Sequence, residues 1–147
     1  MDHRIENEMH LILPAKSENE SISRAVVGAF LAQANPTLEE LADLKCVVSE
    51  AVTNVIVHAY RGYHQEDRKL YIRVICYRGR LVKIIVRDKG CGIADIEAAR
   101  APLFTTDPEH ERSGMGFAVM ENFTDKMTVL SKLGQGTKVT LWKQLKD

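Results

Sequence analysis

Apolar and polar residues alternate in several short stretches of the chain, and between them they recur at helical spacing. "EMHLILPA" alternates as a first strand. "KLYIRVICY" and "RLVKIIVRD" alternate with many β-branched residues and are separated by "RGR", which predicts a hairpin. "KMTVLSK" and "TKVTLWK" around "LGQG" predict a second hairpin. "SENESISRAVVGAFLAQA" opens with Ser17 three residues before Glu20, a capping-box spacing, and reads as a helix to about Ala34. Pro36 breaks the pattern, Thr37 and Glu40 repeat the spacing, and a second helix is predicted from about Leu38 to Tyr60. "DIEAARAP" predicts a short helix ended by Pro102, "LFTTDPEHERSGMG" a long polar connection, and "FAVMENF" another helix. Strand, two helices, two strands, helix and two strands predict an α+β fold with helices on one face of a mixed, mostly antiparallel sheet. No repeat or linker interrupts the pattern, so a single domain over 1–147 is expected.

The second predicted helix carries an oddity. "SEAVTNVIVHAY" is mostly apolar, yet Glu50, Asn54 and His58 recur every fourth residue. At ~100° per residue, each step of four drifts only about 40° around the axis, so the three share one stripe. The core face of this helix is Leu41, Leu44, Val48, Val52, Val55 and Ala59. A solvated stripe is the plain alternative, but Val47 and Val57 flank Glu50 where water would favour Lys or Glu. Asn in mid-helix is also a mediocre helix former. A polar row edged by valines suits the wall of a cleft. An Asn amide oxygen there suits Mg²⁺, which keeps waters and takes phosphate oxygens. A carboxylate one turn earlier suits proton abstraction from a hydroxyl beside that ion. His58 reads as a structural histidine near the helix end.

Composition narrows the classes. Twenty acidic and 20 basic side chains balance. The chain therefore has no overall field for nucleic acid or an anionic membrane, and neither is expected as a direct partner. "MDHRIENEMH" has no apolar signal core and no apolar run is long enough to span a bilayer, so a cytoplasmic location is expected. Cys46, Cys76 and Cys91 are scattered without metal spacing and read as reduced thiols.

Two glycine loops add candidate chemistry. "RDKGCGI" follows a predicted strand, with Asp88 at its end and Gly90 and Gly92 alternating after it. Glycines let the backbone approach a flat ligand, and a carboxylate accepts from an exocyclic amino group such as that of adenine. "ERSGMGF" sets Gly114 and Gly116 at a helix entrance, where backbone N–H groups attract phosphate. Arg112 before them is placed to meet a terminal phosphoryl group. Neither spacing fits a P-loop or the protein-kinase motifs.

In order, E-x-x-x-N-x-x-x-H, D-x-G-x-G, a loose segment, G-x-G and a final G-x-G-T resemble the GHKL ATPase family. "NEMHL", "VVSEAVTN", "EAARAPLFTT" and "ERSGMGF..MENF" further resemble the anti-sigma F factors of sporulating bacteria, from about Asn7 to Trp142. The resemblance implies a GHKL-type ATP-binding α/β sandwich and a dimeric serine kinase that uses ATP, yields ADP and needs Mg²⁺. It implies a sigma factor held inactive as one partner and an anti-anti-sigma phosphoacceptor as the other. By the same resemblance Glu50 matches the general base, Asn54 the Mg²⁺ ligand and Asp88 the adenine-reading aspartate, with Gly90 and Gly92 shaping its loop. Thr105 to Gly116 match the ATP lid, including Thr105, Thr106 and Ser113 in the nucleotide set. Arg112 faces the γ-phosphate there, and Gly114, Met115 and Gly116 line the phosphates. Thr137 matches a threonine near the adenine, and Arg24 an arginine on the partner-binding surface. Cys91 inside the D-x-G-x-G loop suggests sensitivity to thiol reagents. Competing expectations are a pure ATP-binding sequestering module, the catalytic half of a histidine kinase, and a hydrolase that drives a machine.

Overall fold

Each alternating stretch becomes a strand, and the helices pack on one side of the sheet they form. The computed structural model describes residues 4–101 and 116–147. Strand β1 (Ile5–Pro14) leads into helices α1 (Glu18–Ala32) and α2 (Leu38–Asn54). Strands β2 (Lys69–Tyr77) and β3 (Leu81–Arg87) form the first hairpin. Helices α3 (Ile96–Arg100) and α4 (Gly116–Asn122) precede the second, β4 (Lys126–Lys132) and β5 (Gly136–Gln144). The strand order is β1-β2-β3-β5-β4, and every neighbouring pair in the described sheet is antiparallel.

Register explains which side is covered. Ile72, Val74, Val82, Ile84, Val86, Val139 and Leu141 point to the helices and join a core with Val27, Leu31, Leu44, Val47, Val48 and Val52. Val47 is fully buried, so the apolar face of α2 is wider than the six positions the spacing marked. Burying one such valine or leucine stabilises the fold by about 1.5–3 kcal/mol relative to exposure. On the opposite face Ile75, Tyr77, Leu81 and Trp142 make a smaller cluster, with Tyr77 stacked on Trp142 and Lys83 over the indole.

Local signals set the ends of α2. The Thr37 side chain accepts from Glu40 N at 3.0 Å, and Glu40 Oε1 accepts from Thr37 N at 2.9 Å, completing a capping box. The same spacing at Ser17 and Glu20 forms no box. Ser17 is itself helical, and the Glu20 carboxylate instead accepts from Arg24 and from Ser49 of α2. The second helix is α-helical only to Asn54 and continues as a π-helical turn over Val55–Ala59. Three consecutive β-branched residues, Val55, Ile56 and Val57, crowd an α-helical turn. The Ala59 carbonyl at its end accepts from Cys91 N at 2.8 Å. That bond ties the helix end to the loop after β3.

Candidate functional site

The π-turn, the loop after β3, strands β3 and β5 and the start of α4 enclose a cavity of about 450 Å³. Ala51, Val55, Val86, Ile93, Phe117 and Val139 give it apolar walls, and Asn54, His58, Asp88 and Thr137 place polar groups on them. A mostly apolar cleft with a few convergent polar groups suits a flat ring with a polar edge.

Asp88 is the buried pole, at 5% exposure. Its Oδ1 accepts from Gly90 N at 2.9 Å and from Thr137 N at 3.3 Å, so Oδ2 is the oxygen left to meet a ligand. Burial pushes the Asp88 carboxyl above its ordinary value, and the two backbone hydrogen bonds oppose the rise. The loop around it is held from several sides. Asp88 N donates to Thr137 O at 2.9 Å. Tyr60 OH accepts from Lys89 N at 2.9 Å. Gly90 needs its missing side chain for room, because a Cβ there would overlap the Ala59 carbonyl. Gly136 combines φ +114° with a similar approach to the Asp88 carbonyl.

Glu50 and Asn54 form the other pole. Gly116, the first residue of α4, packs where a Cβ would lie 3.2 Å from Glu50 Oε2 and 3.4 Å from both Asn54 side-chain atoms. Asn54 and Gly116 line the cavity. Glu50 and Asn54 thus face the start of α4 and are only partly exposed. His58 also lines the cavity, reached through the π-turn.

A model of the histidine kinase-like ATPase domain matches residues 13–143. An anti-sigma F factor from Anoxybacillus flavithermus is 53% identical over 139 residues, covering 95% of this chain and 93% of that relative. One from Geobacillus stearothermophilus is 53% identical over 137 residues, 93% of this chain and 92% of the relative. The chain belongs to the anti-sigma F factor family. Solved structures agree on the fold of this anti-sigma F factor family member. The RsbU and RsbW domains of a Mycobacterium tuberculosis protein superpose with a TM-score of 0.69 at 20% identity, over 95% of this chain and 32% of that one. The SiaB–SiaC complex of Pseudomonas aeruginosa gives 0.66 at 10% identity, over 95% and 90%.

In this anti-sigma F factor family member, the described structure brings Asn54, Asp88, Gly92, Gly116 and Thr137 onto one cavity. Gly90 shapes its floor and Glu50 stands behind Gly116. Arg24 lies elsewhere, on α1, paired with Glu20 at 3.3 Å. Thr105, Thr106, Arg112, Ser113, Gly114 and Met115 lie outside the described residues. Sequence reasoning missed Tyr60, Ile93 and Ser131. Ser131 Oγ bonds both Ile93 N and the Thr137 hydroxyl, each at 2.8 Å. Its signal was in the second hairpin, whose register pairs Ser131 with Thr137.

Proposed function

We propose that the chain acts, as one domain in the cytoplasm, as an anti-sigma factor and a Mg-ATP-dependent protein-serine kinase. It holds a sigma factor inactive and phosphorylates a serine of an anti-anti-sigma antagonist. The observation that carries this reading is one cavity lined by the buried Asp88 carboxylate and by Asn54, with Glu50 beside Asn54 against Gly116. Asp88 Oδ2 accepts from the adenine amino group. The phosphates extend past Asn54 to the Gly116 end, and by the family resemblance Thr105, Thr106, Ser113, Gly114 and Met115 bind the nucleotide and Arg112 serves the γ-phosphate. Among the described residues no three His, Cys, Asp or Glu side chains cluster to cage a metal. An amide oxygen with phosphate oxygens and water suits Mg²⁺ better than a closed carboxylate cage, so Asn54 fits as its protein ligand. When bound, that ion neutralises phosphate charge.

Glu50 takes the proton of the incoming serine hydroxyl. The serine oxygen bonds the γ-phosphorus as its bond to the bridging β–γ oxygen breaks, and ADP departs with that electron pair. Little else is asked of the protein beyond alignment and charge neutralisation. Arg24, on the α1 surface away from the cavity, contacts the protein partners, and the active unit is a homodimer. Among the described residues no helix is long and apolar enough to cross a membrane.

Single-turnover phosphorylation of the antagonist tests the assignment through Glu50→Gln. The amide keeps the shape and cannot accept a proton at neutral pH. Transfer should fall about 10²–10⁴-fold, the usual contribution of a general base. Mg-ATP affinity and sigma-factor binding should hold. Transfer at the wild-type rate would remove Glu50 from the mechanism. No transfer by the wild type would favour a module that only binds.

A further inference from the structure

Ser131 sits on β4 behind the buried pole of the cavity, and one proton arrangement closes all three of its contacts together. Its Oγ accepts from Ile93 N at 2.8 Å, lies 3.1 Å from the Gly136 carbonyl oxygen and lies 2.8 Å from Thr137 Oγ1. A hydroxyl carries one proton and two lone pairs. The Gly136 carbonyl can only accept, so the Ser131 proton goes there. Ile93 N–H occupies one Ser131 lone pair. The third contact then closes only when Thr137 donates its own proton to the second lone pair. Thr137 is left facing the cavity as an acceptor alone. Asp88, whose Oδ1 is already taken by Gly90 and Thr137 N–H groups, is also an acceptor.

We propose that Ser131 is a specificity-determining positioning residue: by fixing the Thr137 proton, it makes the cavity select a purine with a 6-amino group over one with a 6-carbonyl. The inference rests on the nucleotide reading of the cavity. An amino group supplies hydrogens to two acceptors. A ring carbonyl supplies only lone pairs and meets two more. Without Ser131, the Thr137 hydroxyl can rotate and donate to that carbonyl.

The test is calorimetric titration of the full chain with ATP and with inosine triphosphate, which differs at the 6-position. Wild type should prefer ATP. Ser131→Ala should lower the ATP-to-ITP affinity ratio by up to roughly tenfold, the scale of one hydrogen bond gained by the wrong base. Ser131→Thr restores the hydroxyl and should keep the wild-type ratio. Thr137→Val deletes the acceptor itself and must also lower the ratio, which keeps the test decisive if Ser131→Ala does not fold. Equal weakening of both nucleotides, or an unchanged ratio, overturns the inference and gives Ser131 a purely structural role. A wild type that binds both equally overturns it while the nucleotide reading stands. A wild type that binds neither overturns the nucleotide reading and this inference together.

Discussion

At the scale of the residue, Asp88 shows a site group held at a cost to the fold. Burial raises its pKa against the pull of two backbone donors. An acid whose pKa is higher folded than unfolded binds its proton more tightly in the folded state. Its contribution to stability is therefore best at low pH and is lost as pH rises from the unfolded value through the folded one. Above that window the charged carboxylate is a penalty to the fold. Asp88→Asn keeps an oxygen for the Gly90 and Thr137 N–H groups and removes the buried charge. In thermal melts of the ligand-free protein at neutral pH, the variant should gain stability on the order of 1 kcal/mol. The same variant should lose about 1–3 kcal/mol of ATP binding, because an amide N–H₂ then opposes the adenine amino group. A variant that melts lower and binds ATP normally would show Asp88 to be structural. Ser131 is the counterexample in legibility. Its role arises from a cross-strand pairing with Thr137, which the hairpin register carries, and from a loop N–H of Ile93, 38 residues away along the chain, which it does not.

At the scale of the element, the two copies of one capping spacing had opposite outcomes. Thr37 and Glu40 form the box, whereas Ser17 and Glu20 do not, because Glu20 is drawn to Arg24 and across to Ser49. A long-range partner overrides a local motif, and linear spacing does not carry that information. Strand positions were legible for the converse reason: alternation reports a sheet with one face buried, whatever its partners. The break from α to π geometry after Asn54 was not legible. The crowding of Val55, Ile56 and Val57 does not by itself say which geometry follows, and the end of the turn is tied where the Ala59 carbonyl meets Cys91 N in the loop after β3. That tie makes a sharp prediction. Gly90→Ala drives a methyl into the Ala59 carbonyl and must move the backbone on one side. Denaturant unfolding should show a loss of about 1–3 kcal/mol or more from overpacking. ATP affinity should fall with it, because the same shift displaces Asp88 and the π-turn. Gly62→Ala is the control, since φ is +81° there with open space around it. It should cost only the backbone strain of about 1–2 kcal/mol and leave ATP binding intact. Similar losses of ATP affinity in both variants would argue against a specific seat for Ala59.

At the scale of the whole molecule, the helical layer, the first hairpin and the C-terminal tail are tied at one end, while Arg24 on α1 lies outside the cavity lining. Glu40 Oε2 accepts from Lys146 N at 2.8 Å, and Arg80 donates to Ala34 O, Asn35 O and Lys146 O at 3.0, 2.9 and 2.9 Å. Burial pushes the Glu40 carboxyl up, but hydrogen bonds from Thr37 and Lys146 and the charge of Lys143 outweigh it, and the net shift is downward. A carboxylate with a depressed folded pKa contributes stability that is present above its unfolded value and lost as pH falls through the folded one. Glu40→Gln should therefore cost about 1–3 kcal/mol near neutral pH. The gap to wild type should narrow as pH falls below the ordinary glutamate range and through the depressed folded value. A gap independent of pH would mean that shape, not charge, holds the tie. Arg24 tests the separation of surfaces. It sits on α1, outside the cavity lining, and its ion pair with Glu20 is partly exposed. Exposed pairs contribute about 0–1 kcal/mol, so Arg24→Ala should fold almost as stably as wild type. Its ATP affinity should be unchanged, because no cavity group is touched. Interface arginines often cost more than about 1 kcal/mol when truncated, so sigma-factor affinity should drop several-fold or more. Binding assays with ATP and with the sigma factor, run on the same preparation, separate the possibilities. Normal sigma binding would take Arg24 off the partner surface. A parallel loss of ATP affinity would instead mean that the Glu20–Ser49 contact carries α1 movements to Glu50, the next residue on α2.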